Sequence, residues 1–171
     1  MRTAHAIVTI CLGDSKILEM ISLLPLLALF GAGVSWVYGD CQQGWIRHGG
    51  SCYHFSRDHV SWENAYTFCN LISENGNGYL VEINDNEEEA FVENQVKLIH
   101  DDTWVGATDL VYEGEYIWMK SKTLVRTAHW SPGQPDNAGT NEDCIEILAD
   151  GTWNDRPCSA LKRYICEASI E

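Results

Sequence analysis

The stretch that decides the fold runs from Trp130 to Asp155 and reads WSPGQPDNAGTNEDCIEILADGTWND. Its first part, Ser131 to Asp143, is dominated by Pro, Gly, Asn, Asp, Gln and Glu. A loop of that length inside a compact domain is usually functional or disordered, and the disulfide-capable cysteines nearby favour order. Trp130, at the start of the stretch, is expected to pack at the base of the loop rather than to stack on a ligand.

The same stretch contains side chains suited to a metal ion. Five of them offer only oxygen donors: Gln134, Asp136, Glu142, Asn154 and Asp155. Carboxylate and amide oxygens are the ligands that calcium prefers, and about six to eight are typical, which leaves room for ligand oxygens. Because a hydroxyl can donate to a carboxylate and accept from an amide, this mixture suits a sugar diol. The alternative is a solvated loop with scattered polar residues.

The charge of the chain narrows the possible partners. It has 171 residues, with 11 basic and 25 acidic side chains and a formal net charge of -14. Such a surface repels nucleic acid and anionic membranes, so calcium or a neutral ligand fits better.

The first forty residues differ in character from the rest. Met20 to Val37 is mostly apolar and ends in small residues, which predicts a secretory signal over residues 1–39, cleaved after Gly39, and a secreted domain over residues 40–171. Met20 is an alternative initiator. A membrane anchor, giving a type II membrane protein, is the alternative to cleavage.

The cysteine count supports export. Removing residues 1–39 deletes Cys11 and leaves an even set: Cys41, Cys52, Cys69, Cys144, Cys158 and Cys166. An even number behind an export signal indicates disulfides formed in an oxidising compartment, although the count selects no pairing. Zinc is not expected, because the chain has no Cys-x-x-Cys pair and its histidines show no metal-ligand spacing. The histidines are assigned to the surface.

The exported part begins with a predicted hairpin and continues with a helix. Trp45–His48 and Ser51–Phe55 flank Gly49-Gly50, a two-residue turn that tolerates positive φ. Ser61 can cap the helix that follows. Helical spacing places Trp62, Ala65, Tyr66 and Cys69 on one apolar face, so both aromatic residues are assigned to the core.

A second helix and several strands follow. Asn84 or Asp85 opens the helix, and Glu87, Glu88 and Glu89 in its first turn suit the helix dipole, so this acidic run is assigned no ligand. Five segments are predicted as strands: 80–83, 104–107, 116–119, 143–148 and 163–167.

Five features in order resemble a C-type lectin-like domain over about residues 41–168. They are the six cysteines, Trp104-Val105-Gly106-Ala107, Gln134-Pro135-Asp136, Glu142-Asp143-Cys144 and Trp153-Asn154-Asp155. The resemblance implies an α+β double-loop fold, with two helices flanking antiparallel sheets. It also implies three disulfides: Cys41–Cys52, Cys69–Cys166 and Cys144–Cys158. Within the family, Trp130 to Gly139 looks most like the perlucin-type lectins of molluscs.

The resemblance also implies the role of each site residue. Gln134, Asp136, Glu142, Asn154 and Asp155 would hold the principal calcium and the sugar, with a cis bond before Pro135. An auxiliary calcium would lie among Asp109, Glu113, Asn137 and Asp143, where Asn137 replaces the usual aspartate and weakens the site.

The tripeptide predicts which sugar is bound. In the family, Gln-Pro-Asp accompanies galactose-type binding, so the expected partners are glycans with terminal galactose or N-acetylgalactosamine on cell or microbial surfaces, in innate immune recognition. The tryptophan that usually follows is absent, and Ala138 offers no steric wall, so weak selectivity with some mannose binding is expected. Useful avidity would require several copies, so a homo-oligomer is possible.

The sequence also bears on two other functional classes. The chain has no nucleophile elbow, zinc-protease helix motif, phosphate loop or dinucleotide fingerprint, so it is not expected to be an enzyme. The second alternative is an acidic calcium-binding matrix protein associated with a mineral surface, for which the charge of -14 is suited.

Overall fold

The structure is a computed structural model that describes residues 41–126 and 128–170. The predicted signal segment, residues 1–39, its cleavage site and its alternative as an anchor lie outside these residues. In chain order the elements are β1 (Ile46–His48), β2 (Ser51–Phe55), α1 (Trp62–Ile72), β3 (Tyr79–Leu80), α2 (Asn86–Ile99), β4 (Thr103–Thr108), β5 (Ile117–Trp118), a short 3-10 helix (Ala138–Thr140), β6 (Cys144–Ile147), β7 (Trp153–Arg156) and β8 (Arg163–Ser169). The class is α+β, as expected.

The local signals for the hairpin and the two helices are confirmed. β1 and β2 pair antiparallel with His48 opposite Ser51, so Gly49-Gly50 forms the turn. Ser61 caps α1 by accepting a hydrogen bond from the Asn64 amide, and Asp85 caps α2 by accepting from the Glu87 and Glu88 amides.

The strands form one eight-stranded sheet. Its order is β1-β2-β8-β4-β6-β7, with β3 also paired to β8 and β5 to β4. All pairs are antiparallel except β4 and β8, which run parallel. The strand predicted over 80–83 is shorter and begins one residue earlier, at Tyr79. β7 is a strand that the sequence does not predict, because Trp153 to Arg156 is short and lacks alternation; it pairs with β6 and makes one bridge from Trp153 to Trp130.

The three disulfides have the expected pairing. Cys41–Cys52, Cys69–Cys166 and Cys144–Cys158 are bridged, with Cα–Cα distances of 5.5, 5.1 and 5.2 Å. The second joins α1 to β8, and the third joins β6 to the turn after β7.

The core has two parts. Tyr66, predicted as a core residue, lies at the edge of the first part rather than inside it. Trp62, Ala65 and Cys69 on α1 pack with Trp104 and Tyr164, and Trp62 Nε1 donates to the Val105 carbonyl at 2.8 Å. Tyr66 is 39% exposed, however, and its ring stacks on Trp62 with centroids 5.8 Å apart. It lies at the edge of the apolar face and covers Trp62 from the solvent side.

The second part of the core lies between α2 and the sheet. It contains Val92, Val96, Val105, Ile145 and Trp153. This part supports β7, which carries Asn154 and Asp155, and β6, which directly follows Glu142 and Asp143.

Candidate metal centre

The polar loop is anchored to β7 at its base. The Ser131 amide donates to the Trp153 carbonyl at 2.8 Å, and the Trp153 amide donates to the His129 carbonyl at 2.8 Å. The Trp130 ring packs near Tyr116 and Trp153, with centroid distances of 5.4 and 6.2 Å. Trp130 therefore packs at the base of the loop, as expected.

Three of the five predicted principal ligands come together as carboxylates. Asp136, Glu142 and Asp155 each offer an oxygen, and these atoms lie within 4.8 Å of one another. Glu142 and Asp155 are buried, whereas Asp136 is exposed. The cluster thus has a buried floor and an open side.

The carboxylates also hold the loop in place. Asp155 accepts hydrogen bonds from the Asp136 amide at 3.2 Å and from the Asn137 amide at 2.7 Å. Glu142 Oε2 accepts from the Ala138 amide at 2.9 Å, and the Glu142 amide donates to Asn137 Oδ1 at 3.0 Å. The loop backbone is therefore folded around the acids that it presents.

The electrostatics of the cluster favour a cation. Burial raises the pKa of Glu142, and the neighbouring Asp155 and Asp136 carboxylates raise it further, while the Ala138 amide and Arg156 lower it. Negative charges held this close repel one another, so a divalent cation would stabilise the charged form.

The two predicted amide ligands differ in their surroundings. Gln134 Oε1 is buried and has no hydrogen-bond partner among the described residues, and the Gln134–Pro135 bond is cis, as the resemblance implies. Asn154 Nδ2 donates to Glu146 Oε1 at 3.0 Å and to the Asp155 carbonyl at 2.6 Å. The amide nitrogen of Asn154 is thereby occupied, and its oxygen is the end suited to a metal.

The predicted auxiliary residues form a looser group. The Asp109 amide donates to the Asp143 carbonyl at 3.1 Å, and Asp109 Oδ2 accepts from the Gly114 amide at 2.8 Å. Burial raises the pKa of Asp109, as do the Glu113 and Asp143 carboxylates. Within residues 41–126 and 128–170, however, these acids do not cluster within 4.8 Å as the principal acids do.

Asn137, which is predicted as an auxiliary ligand, also holds the loop backbone. It has a φ of 42°, and its Oδ1 accepts the Glu142 amide. That bond gives Asn137 a structural role in the loop, whether or not a cation lies beside Asp109.

Sequence reasoning missed two residues that support the cluster. Glu146 is buried opposite Asn154 in the β6–β7 pair and accepts its amide, which fixes the Asn154 side chain. Its signal is a carboxylate between two isoleucines in a buried strand. Tyr116, also buried, contacts the Glu142 carbonyl at 3.4 Å and Asp155 Oδ2 at 3.5 Å. No local pattern distinguishes it from a core tyrosine.

The donor set fits a hard divalent cation. It combines three clustered carboxylates with a buried amide oxygen that lacks a hydrogen bond. Calcium takes such oxygen ligands, with flexible coordination and room for exogenous oxygens.

Comparisons with known proteins agree with the fold. A family model described as the Lectin C-type domain matches residues 58–168. Asialoglycoprotein receptor 2 of Mus musculus is 40% identical over 134 residues, which cover 74% of this chain and 42% of the receptor.

Two solved structures are also similar. The C-type lectin CEL-I from Cucumaria echinata aligns with a TM-score of 0.70 and 31% identity, covering 78% of this chain and all of that one (100%). The carbohydrate-recognition domain of the mouse scavenger receptor C-type lectin aligns with a TM-score of 0.68 and 33% identity, covering 77% of this chain and 98% of that one.

The relatives are longer than this chain. It spans about two fifths of the length of the curated relatives that it matches first. Within residues 41–126 and 128–170, neither helix has the length and apolar character needed to cross a bilayer.

Proposed function

The chain belongs to the C-type lectin domain family, and from this premise we propose that it binds carbohydrate in a calcium-dependent manner, with galactose and N-acetylgalactosamine as its preferred sugars. The observation that carries the proposal is the cluster of Asp136, Glu142 and Asp155 at the open side of the polar loop. A bound calcium would supply coordination positions for two neighbouring sugar hydroxyls.

The residues around the cluster suit a diol. Glu142 and Asp136 can accept hydroxyl protons, whereas the amides of Gln134 and Asn154 can donate to hydroxyl oxygens. Asn154 Nδ2 already donates to Glu146. It could donate to a sugar hydroxyl only by sharing its N–H groups between the two acceptors. Gln134 and Asp136, on either side of Pro135, therefore carry most of the discrimination between sugars.

The preference for galactose rests on the order of amide and acid. Gln134 precedes Asp136, the galactose-type order in the family, and the similar receptor from Mus musculus is named for asialoglycoproteins. Ala138 carries only a methyl group where a bulky side chain would exclude mannose, so selectivity is modest.

The disulfides support a placement outside the cell. Three bridges require an oxidising compartment, so we propose that the domain is exported and acts outside the cell on glycans of cell or microbial surfaces. Whether residues 1–39 are cleaved or retained as an anchor is decided by N-terminal sequencing of the exported protein.

Retention on galactose resin tests the function. The chain should be retained in calcium and released by a chelator, and Glu142→Gln should abolish retention because it removes one carboxylate of the cluster. Glu63→Gln, an exposed acid on α1, is the matched control and should be retained like the parent. Retention that survives both the chelator and Glu142→Gln would refute the proposal. Calcium binding without any sugar binding would favour the mineral-associated alternative.

A further inference from the structure

A second cluster of metal-binding side chains lies between α2 and the segment that enters the polar loop. Glu89 and Glu93 are one helical turn apart on α2, and His129 comes from the segment before Trp130. Each offers a ligand atom, and these atoms lie within 4.8 Å of one another. None of the three belongs to the calcium site proposed above, and the sequence pattern predicts neither a ligand role for Glu89 nor a zinc site.

The contacts within the cluster show which groups are fixed. His129 Nδ1 lies 2.6 Å from Glu93 Oε1, and Lys97 Nζ lies 3.1 Å from Glu93 Oε2. The Glu93 side chain is only 12% exposed, whereas those of His129 and Lys97 are 55% and 43% exposed. Glu93 is thus a mostly buried carboxylate, whereas its two partners are exposed to solvent.

Glu89 is the least satisfied member of the cluster. Its carboxylate is half-buried, and in the described part of the chain no hydrogen bond or ion pair to it is found. It faces the negative charge of Glu93, while Lys97 neutralises the far oxygen of Glu93. A divalent ion bound between Glu89, Glu93 and His129 would neutralise both acids at once.

We propose that Glu89, Glu93 and His129 bind one zinc ion. An imidazole nitrogen with two carboxylates is a mixed donor set that suits a borderline metal, whereas calcium takes oxygen alone. Tetrahedral zinc with ligand distances of about 2.0–2.2 Å places its donor atoms roughly 3.4 Å apart. The His129–Glu93 pair must open by about 0.8 Å to reach that spacing, and the exposed imidazole can rotate to do so.

The test is zinc binding by the intact domain. Zinc is the titrant, and its affinity is measured by competition between the domain and a chromophoric chelator. The buffer contains enough calcium to saturate sites that offer only oxygen ligands. The parent should bind one zinc ion per chain. Loss of a ligand should weaken binding by at least about tenfold, so His129→Asn and Glu89→Gln are the test variants.

Two further variants separate ligation from general effects. His59→Asn is the matched control, because His59 lies 2.9 Å from the single carboxylate of Asp101 and should leave zinc affinity unchanged. Lys97→Met should strengthen zinc binding, since it removes the ammonium that competes at Glu93. Thermal unfolding in a chelator identifies any variant that fails to fold.

The outcomes do not depend on the sugar site. Zinc affinity that falls in both test variants and rises in Lys97→Met supports the proposal even if sugar binding is absent. Equal zinc affinity in the parent, His129→Asn and Glu89→Gln overturns it.

Discussion

At the scale of single residues, the proposed sugar preference depends on Gln134 and Asp136. The backbone around them is held by Asp155, which accepts the Asp136 and Asn137 amides, so an exchange of acid and amide side chains leaves those bonds in place. Ala138 contributes its amide to Glu142 and only a methyl group to the surface. Under the proposed function, the loop would attract galactose through Gln134 and Asp136 but would have no bulky side chain to exclude mannose.

Exchanging the two side chains should exchange the preference. Gln134→Glu with Asp136→Asn keeps the charge but reverses which hydroxyl donates and which accepts, so the ratio of galactose to mannose affinity should fall by about tenfold or more. Competition assays with the two monosaccharides measure the ratio. Glu74→Gln with Asn75→Asp, an equivalent exchange in an exposed turn, should leave it unchanged. An unaltered ratio in the site variant would show that the tripeptide does not set specificity here.

Glu167 is a second residue with a defined prediction. It is buried, and burial raises its pKa to about 7, with a further contribution from Glu88, while Ser51 donates to Oε1 at 2.7 Å and lowers it. Because the pKa of Glu167 is raised in the folded chain, its contribution to the free energy of unfolding is fully present below about pH 4.5. There the side chain is protonated in both the folded and the unfolded chain. The contribution is lost as the pH rises through about 7.

The measurement is urea unfolding in a chelator across this pH range. Between about pH 4.5 and pH 7 the parent should lose about 3 kcal/mol relative to Glu167→Gln, because the pKa of Glu167 is about 7 in the folded chain and about 4.5 in the unfolded one. Comparison with the glutamine variant removes the contributions of other acids. Parallel stability curves for the two proteins would contradict the assignment.

At the scale of elements, β4 is the strand that the others are built around. It pairs with β5, β6 and β8, and every residue from Thr103 to Thr108 is buried. The Gly106 amide donates to the Val81 carbonyl at 2.8 Å, and its carbonyl accepts from the Met119 amide at 2.8 Å. The segment after β3 therefore passes directly over Gly106.

A methyl group at position 106 should destabilise the domain. An added Cβ would lie 2.5 Å from the Leu80 carbonyl oxygen, a backbone atom that cannot rotate away. We expect Gly106→Ala to lower the free energy of unfolding by about 3 kcal/mol, as overpacking does. Gly50→Ala, where a Cβ meets nothing within 4 Å, is the control and should change it by less than about 0.5 kcal/mol. Equal stability of the two variants would be incompatible with this packing.

At the scale of the whole molecule, the disulfides divide into short and long closures. Cys41–Cys52 and Cys144–Cys158 span 11 and 14 residues, whereas Cys69–Cys166 spans 97 and joins α1 to the last strand. A longer closed loop removes more entropy from the unfolded chain.

Stability should therefore depend most on the long bridge. Loop-closure entropy predicts a loss of about 5 kcal/mol for Cys69→Ala with Cys166→Ala, against about 3 kcal/mol for Cys41→Ala with Cys52→Ala. Urea unfolding of the two double variants measures the difference. A larger loss for the short bridge would contradict the prediction. It would indicate that strain or residual structure in the unfolded chain, rather than loop length, controls the effect.

The sequence by itself determined the elements whose signals are local. Gly49-Gly50 indicated the hairpin turn, and Ser61 and Asp85 indicated the helix starts, since each acts on backbone groups within a few residues. The residue types of the polar loop likewise indicated calcium chemistry before any geometry was known, although the calcium itself stays a prediction. The disulfide pairing came from the family resemblance, because a count of cysteines selects none.

Only the tertiary structure decided which side chains meet. Asp136, Glu142 and Asp155 converge because the β6–β7 pair brings Asp155 beneath the loop. The same pairing makes Glu146 a partner of Asn154, and helix packing leaves Tyr66 partly exposed. His129 and Glu93 are 36 residues apart, so no spacing rule could join them. Such contacts depend on strand register and on helix packing against the sheet, which are set by the burial of the whole core rather than by neighbours in the sequence.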